Sequence, residues 1–138
     1  MGAKMSRKIE FKHTDYPPIS LHDKKVDSIT ISGDSVVLHF LETDELERLE
    51  VAGVDMDFAL VNLQSPFGHF GLYRGEKFFL QDFLEQHPAF TFEIVDELYA
   101  YNQVWYCGYI RFPGKPVLRE VEISLYFTGN ITYTKKEV

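Results

Sequence analysis

Cysteine and long hydrophobic runs are scarce in this sequence. The one cysteine, Cys107, excludes an intramolecular disulfide and a zinc site built from paired thiolates. No stretch approaches the roughly 18 consecutive apolar residues that cross a bilayer. The charged start, MGAKMSRKIEFKH, lacks the apolar segment of a secretory signal. We therefore expect a cytoplasmic protein with no membrane partner. Met5 offers a second start, which would make residues 1–4 an addition to the natural chain.

Catalytic and cofactor motifs are also missing. The five histidines form no HxH, HExxH or HxxxH pair, and no glycine-rich segment has the spacing of a phosphate-binding loop. Cys107 lies within YCGY on a predicted strand, away from the electropositive loop or helix start that activates a catalytic thiol. We predict a buried structural cysteine there. The sequence thus predicts no catalytic residue, no metal and no cofactor, and it favours a non-enzyme.

Positive charge is in deficit, since the net charge is −7. An acidic chain repels phosphate backbones, which argues against a nucleic-acid partner. Residues 42–57 carry a dense run of carboxylates that could attract a basic protein partner, or could simply be a solvated turn that keeps the protein soluble. The acids predicted to bind a partner are Glu42, Asp44, Glu45, Glu47, Glu50, Asp55 and Asp57.

What the sequence does contain is alternating strand segments separated by tight turns. In one of them, REVEISLYF, Glu120, Glu122 and Ser124 are predicted to share the outward face. Aromatic residues make up 15% of the chain and favour sheet. The length suits one domain, 1–138, whose first 20 residues are predicted to form an extended arm because Pro17 and Pro18 oppose a helix. We predict an α+β, β-dominant fold: a twisted antiparallel sheet of about 7–8 strands, as a meander, sandwich or half-barrel, with one short helix.

Two segments carry specific local predictions. In EKFFLQDFLEQHP, Phe79 and Phe83 are four apart and a proline follows, which indicates a short helix, although no good N-cap precedes it and a strand through residues 77–80 is the alternative. The segment LEVAGVDMDFALVNL is predicted to be one strand whose alternation Gly53 interrupts, as a bulge would, with Val54, Met56, Phe58 and Leu60 on one face.

The stretch DELYAYNQVWYCGYIRF is predicted to be a β-hairpin with its turn at residues 102–103. Opposed residues share a face, so this pairing places Trp105, Cys107 and Leu98 on one side. Tyr99, Tyr101 and Tyr106 are predicted to lie on the other side. The tyrosine face is a candidate ligand surface, together with the glycine-punctuated loop FGHFGLYRG at the open end of the sheet. The candidate ligand-binding residues are His69, Tyr73, Arg74, Tyr99, Tyr101 and Tyr106.

Both ends of the chain resemble a pattern found in small uncharacterised β-rich bacterial proteins. The similar segments are LHDKKVDSITISGDSVVLHF and VEISLYFTGNITYTKK, which match an early hairpin and a closing strand pair. Some proteins of that kind resemble immunity proteins that neutralise toxins of interbacterial competition. The resemblance implies a β-rich bacterial protein with a binding role, and it carries over no catalytic residue.

Three functions are compatible with these observations. The favoured hypothesis is a non-enzymatic protein-binding module, immunity-like in the sense of the resemblance, that presents the acidic segment to a basic partner. The alternative is a small-ligand-binding protein or an unrecognised enzyme with a pocket at the open end of the sheet. The third is self-association through an edge strand.

Overall fold

The computed structural model describes residues 6–11, 16–64 and 75–136, and within these ranges it confirms a β-dominant fold with an antiparallel sheet and one helix. The described strands number ten, against the predicted 7–8. In chain order the elements are β1 Ser6–Phe11, β2 Lys25–Ser32, β3 Ser35–Phe40, β4 Leu46–Val51, β5 Val54–Gln64, β6 Gly75–Phe79, α1 Leu80–Gln86, β7 Thr91–Ala100, β8 Gln103–Arg111, β9 Arg119–Phe127 and β10 Ile131–Lys136.

Three local features explain the higher strand count. The predicted extended arm contains β1, which pairs antiparallel with β10 from Phe11 opposite Ile131 outward. A break at Ala52 and Gly53 divides one predicted strand into β4 and β5. The predicted helical segment begins as strand β6 and becomes helical only at Leu80.

All ten described strands belong to one open antiparallel sheet, with the order β1-β10-β4-β3-β2-β7-β8-β9-β5-β6. The predicted hairpin of β2 and β3 is present, and Ser32 lies opposite Ser35. Gly33 occupies the turn with a φ of 62°, a conformation that costs glycine little. The strands β7 to β9 form the predicted meander of neighbours, but β10, predicted to continue it, pairs with β1 and β4 instead.

A corner connects the strand pair β4 and β10 to the strand pair β5 and β9. The β4–β5 connection lies against the β9–β10 connection, and the Gly129 amide donates to the Ala52 carbonyl at 3.0 Å. The Thr128 amide likewise donates to the Gly53 carbonyl at 3.0 Å. Because β4 pairs with β10 while β5 pairs with β9, both chains turn this corner side by side.

One face of the sheet carries the hydrophobic core, and we call it the inner face. Its largest fully buried side chains are Tyr106, Tyr133, Phe11, Phe83, Phe92, Phe127, Leu21, Leu38, Leu46, Leu49, Leu63 and Leu80. Helix α1 contributes Leu80 and Phe83 to this core and contacts β2, β5 and β6. Phe79 is its N-cap, with extended backbone and no side-chain cap bond, in line with the missing cap in the sequence.

The register of the β7–β8 hairpin differs from the prediction. The turn is Tyr101-Asn102, where Asn102 has a φ of 60°, and Ala100 lies opposite Gln103. Asparagine tolerates this left-handed conformation better than glutamine does, which moves the turn by one residue. The pairing changes by two residues, so Tyr99 and Tyr106 still share a face, although Tyr99 lies opposite Val104.

The prediction for β5 was wrong from Phe58 onward, whereas Val54 and Met56 face the core as predicted. The register with β9 shifts between Val54 and Ala59, so the alternation restarts and Ala59 becomes the buried residue. Phe58 and Leu60 are therefore 59% and 37% exposed instead of sharing the inner face with Val54. A bulge inverts every later side chain of a strand, because the side-chain period is two.

Candidate docking surface

The seven acids of residues 42–57 lie along β4 and at both of its ends. Glu42, Asp44 and Glu45 are in the β3–β4 turn, whereas Asp55 and Asp57 follow the corner at the other end. The six residues of β4 separate these groups by about 17 Å at roughly 3.3 Å per residue. The acids that are dense in the sequence are thus spread along a strand.

Asp44 serves the fold. Its Oδ1 accepts a hydrogen bond from Lys24 Nζ at 2.8 Å and another from the Leu46 amide at 2.9 Å. Both charged side chains of the ion pair are only 20% exposed. This carboxylate fixes the start of β4, so it is not available to a partner in the way that a solvated acid is.

The other acids of the segment are more accessible. Glu42, Glu45, Asp55 and Asp57 are exposed, and Asp55 Oδ1 accepts the Asp57 amide proton at 3.0 Å near the start of β5. Glu47 and Glu50 are half-buried on β4. Glu50 lies opposite Val37 on one side and Thr132 on the other, so it faces uncharged neighbours across both ladders.

The predicted tyrosine face is the core face. Tyr106 is fully buried, Tyr99 is mostly buried, and Tyr101 is 76% exposed at the hairpin turn. The Tyr99 hydroxyl donates to the Glu97 carboxylate, whose other oxygen accepts the Leu21 amide proton at 2.7 Å. The structure therefore brings Tyr99 and Tyr106 together inside the protein and leaves Tyr101 outside.

Burial dominates the protonation of this interior cluster. It raises the pKa of Tyr133 to about 12 and raises the pKa values of Tyr99 and Tyr106 above the ordinary tyrosine range. The hydroxyl of Tyr106 has no hydrogen-bond partner among the described residues. The remaining candidate ligand residues, His69, Tyr73 and Arg74, lie outside the described ranges.

The opposite, outer face carries an apolar row that crosses five strands. Leu98 lies opposite Trp105, Trp105 opposite Ser124, Ser124 opposite Leu60, and Leu60 opposite Phe79. Leu98 and Phe79 are 55% and 51% exposed. Ser124 is buried between its larger neighbours. We define the apolar row as Leu98, Trp105, Leu60 and Phe79.

A second aromatic pair extends the apolar row on one side. Phe58 and Tyr126 meet edge to face, with ring centroids 6.3 Å apart. Tyr126 is 39% exposed, so both rings contribute surface to the outer face. Contiguous exposed apolar patches on a soluble protein mark interaction surfaces more often than isolated apolar residues do.

An acidic rim borders the apolar row on the other side. Asp96 and Glu122 flank Cys107 across the sheet, and Glu93 and Glu120 flank Tyr109 one step further along the strands. We define the acidic rim as Glu93, Asp96, Glu120 and Glu122. Along a strand, the rim lies about 7 Å from the apolar row, since same-face neighbours are two residues apart.

A small cavity of about 200 Å³ opens within the acidic rim, with Gly108 in its wall. Asn62, Asp96, Glu120 and Glu122 are among the residues that line it. Cys107 also lines the cavity, half-buried on the outer face and not in the core as predicted. Desolvation, then Glu122 and Asp96, raises the pKa of its thiol to about 11.

Sequence reasoning missed the docking surface as a unit because its parts are distant in the chain. The alternation of Glu120, Glu122 and Ser124 did indicate one outward face, and the hairpin prediction did place Leu98 beside Trp105. The contributions of Leu60 and Phe79 depend on the bulge in β5, which the periodicity does not reveal, and on strand β6, which is predicted only as the alternative to a helix.

The described residues contain no group of three or more His, Cys, Asp or Glu side chains arranged to hold a metal ion. Nor do the described ranges contain a helix whose length and apolar content would let it cross a membrane. No family model matches the chain, and comparisons with curated proteins and with solved structures find no match.

Proposed function

We propose that this chain is a protein-binding module whose outer face, formed by β5 to β9, docks a partner segment with apolar and basic side chains. The observation that supports the proposal most directly is the apolar row across five neighbouring strands, bordered by the acidic rim. Apolar anchors supply affinity, and complementary charge supplies orientation and a faster encounter. Neutralisation of a basic toxin, as the sequence resemblance implies, is one form that such binding would take.

The acidic cavity indicates how charge and apolar contact combine. Asp96, Glu120 and Glu122 surround about 200 Å³, space for the end of one lysine or arginine side chain. A basic residue seated there would lie roughly 7 Å from an apolar residue packed on Trp105 or Leu60. The partner segment is therefore expected to carry a cation close to an aromatic or aliphatic anchor.

A second copy of the chain fits this surface less well. Two identical outer faces would bring two acidic rims to the same interface, and like charges at close range oppose association. The chain as a whole is also acidic, with a net charge of −7, which adds to the repulsion. A basic partner removes both costs.

Site-specific photo-crosslinking tests the surface directly. A photoreactive residue at Leu98 is expected to crosslink a protein from the source cell, and unlabelled wild-type chain should suppress that product. A competitor with Trp105→Ser should not suppress it. The matched control places the photoreactive residue at Thr30, which is exposed on β2. Equal products at both positions, or crosslinks only between copies of this chain, would contradict the proposal.

Charge reversal then compares the two acidic regions. With the crosslinked partner in hand, the pair Glu120→Lys and Glu122→Lys is expected to weaken binding about tenfold or more. The pair Glu42→Lys and Glu45→Lys changes the net charge equally but acts at the β3–β4 turn, and it should leave affinity within about threefold. If the Glu42 and Glu45 pair weakened binding more, the docking site would instead be the acidic segment 42–57 predicted from the sequence.

Phe79→Ser separates binding from folding. Phe79 has the extended backbone of an N-cap and lacks a side-chain cap bond, so serine should start α1 better by about 1 kcal/mol. Loss of the exposed ring from the apolar row should still weaken partner binding. Urea unfolding reports the first effect and titration calorimetry the second. Unchanged affinity in this variant would remove Phe79 from the docking surface.

A further inference from the structure

The sheet opens between β2 and β7. These strands pair only at Lys25 opposite Glu93 and Val26 opposite Phe92, although β2 continues to Ser32. Beyond Val26 they part, and a cleft of about 720 Å³ forms between β2, the segment before β7 and the β8–β9 loop. This volume lies within the range of small-molecule sites. The cleft is thus a consequence of strand separation.

A second concavity of about 340 Å³ adjoins this cleft and shares Thr91 and Arg111 with it. Lys25, Tyr109 and Leu118 line the second concavity. Arg111 is exposed, so its guanidinium is accessible where the two concavities meet. A ligand held in either concavity would therefore lie beside the same cation.

Unpaired cations concentrate at this place in an otherwise acidic chain. Lys25, Arg111 and Lys115 line the two concavities, and within the described part of the chain none of them forms an ion pair. The carboxylates at the same walls are Asp27 and Glu93, so three cations face two anions. An arginine with its donor fork free matches a carboxylate or phosphate oxygen pair.

The walls of the larger cleft are rigid and largely apolar. Pro88, Pro113 and Pro116 line it, and Phe112 packs against the His87 ring at a centroid distance of 4.6 Å. Proline rings and a packed aromatic ring lose little conformational freedom when a ligand arrives, which lowers the entropic cost of binding. The cleft thus combines an apolar slot with a cationic end.

We propose that this cleft binds an organic anion that has an apolar body. The aromatic or branched aliphatic body lies between the prolines and Phe112, and the anionic group meets Arg111, with Lys115 as the second cation. The site adjoins the docking surface of β5 to β9, because Glu93 belongs to both the acidic rim and the second concavity, but it does not depend on a protein partner.

Binding of 3-phenylpropionate, followed by amide chemical shifts of the full chain, tests the site. A ligand of this size is expected to bind with a dissociation constant on the order of 1 mM, with shifts centred on Thr91, Arg111 and Lys115. The neutral analogue 3-phenylpropan-1-ol should bind about tenfold more weakly because it cannot form a charge-assisted hydrogen bond. Inorganic phosphate, which lacks the apolar body, should also bind more weakly.

A pair of variants assigns the role of Arg111. Arg111→Gln should raise the dissociation constant of 3-phenylpropionate about tenfold, whereas Arg7→Gln removes an equal charge from β1 and should leave it unchanged. Both arginines are exposed, so the amide spectra of the variants should otherwise match the wild type. Equal affinity for the alcohol and the carboxylate, equal affinity for phosphate, an unaffected Arg111→Gln variant, or no binding would each overturn the proposal.

Discussion

Gly108 is required on β8 because any side chain there would collide with the backbone of the neighbouring strand β7. A Cβ at this position would lie 1.8 Å from the Glu93 carbonyl oxygen, much closer than any normal contact. The cause is on the neighbouring strand, where the β7–β8 register shifts between Ile94 and Asp96. Such a bulge bends its strand toward the partner.

Gly108→Ala is expected to lower the free energy of unfolding by about 3 kcal/mol, because the backbone of β7 must move to admit the methyl group. Gly114→Ala is the control, since its φ is 73° but no atom lies within 4 Å of the position that a Cβ would occupy. This substitution should lower the free energy of unfolding by only roughly 1 kcal/mol, the cost of a left-handed backbone conformation at alanine. Urea unfolding of both variants checks this, and equal losses would show that the contact at Gly108 is relieved at no cost.

Tyr106 and Tyr99 are both buried, yet their hydroxyls differ. The Tyr106 hydroxyl has no partner among the described residues, whereas the Tyr99 hydroxyl donates to Glu97. Tyr106→Phe should therefore leave stability unchanged or raise it by up to about 1 kcal/mol, while Tyr99→Phe should cost about 1–2 kcal/mol. Thermal and urea unfolding provide the comparison. A larger loss for Tyr106→Phe would indicate that its hydroxyl is hydrogen-bonded in solution.

At the scale of elements, the corner connects the strand pair β4 and β10 to the strand pair β5 and β9. Gly53 and Gly129 face each other there, and a Cβ on Gly129 would lie 2.6 Å from the Ala52 carbonyl oxygen. A Cβ on Gly53 would lie 2.7 Å from the Gly129 nitrogen, at a φ of 69°. Both glycines are thus required by close backbone approach, and the sequence around Gly53 shows only an interrupted alternation.

Alanine at either corner glycine should lower the free energy of unfolding by about 2–3 kcal/mol. The double variant Gly53→Ala with Gly129→Ala should lose less than the sum, because separating the two connections relieves both contacts at once. Gly33→Ala serves as the control, since its φ is 62° with no atom within 4 Å, and it should cost about 1 kcal/mol. Strictly additive losses in the unfolding cycle would show that the corner does not open as a unit.

The elements also show which strands, faces and boundaries can be predicted from side-chain periodicity. Alternation identified most strands and the outward face of β9 correctly, because each half-buried strand repeats every two residues. The β7–β8 register and the later faces of β5 were wrong or displaced, since one bulged or turn residue changes everything that follows it. The β6–α1 boundary combined the two alternatives, a strand to Phe79 and a helix from Leu80.

At the scale of the whole molecule, the carboxylates that lie close together in space are not those that lie close together along the chain. The carboxylates of residues 42–57 lie along β4 and at both of its ends, and Asp44 is held in an ion pair. The acidic rim gathers residues from β7 and β9 that are more than twenty positions apart. Sheet pairing, and not sequence density, therefore determines where the chain presents a compact acidic surface.

Alkaline pH should destabilise the whole molecule. Tyr99, Tyr106 and Tyr133 have raised pKa values in the folded state, and that of Tyr133 is about 12 against an ordinary 10.0. Above about pH 10 the unfolded chain loses these protons first, so stability is complete below that pH and falls as pH rises. The slope should approach about 1.4 kcal/mol per pH unit for each tyrosine.

Tyr133→Phe should reduce that alkaline slope, measured by urea unfolding between about pH 9 and about pH 11. Tyr16→Phe removes a tyrosine that is 96% exposed and should leave the slope unchanged. An identical pH dependence for Tyr133→Phe and the wild type would show that Tyr133 ionises equally in the folded and unfolded states.

The sequence by itself determined the β-dominant class, the antiparallel meander, the short helix and the net acidity, because all four depend on composition and on periodicity between close neighbours. Only the tertiary structure decided the ten-strand order, the corner, the orientation of the tyrosines toward the core and the position of the apolar row. These features depend on bulges at single residues and on pairing between distant strands. The local pattern of a strand does not specify which distant strand it pairs with, because packing across the sheet selects that partner.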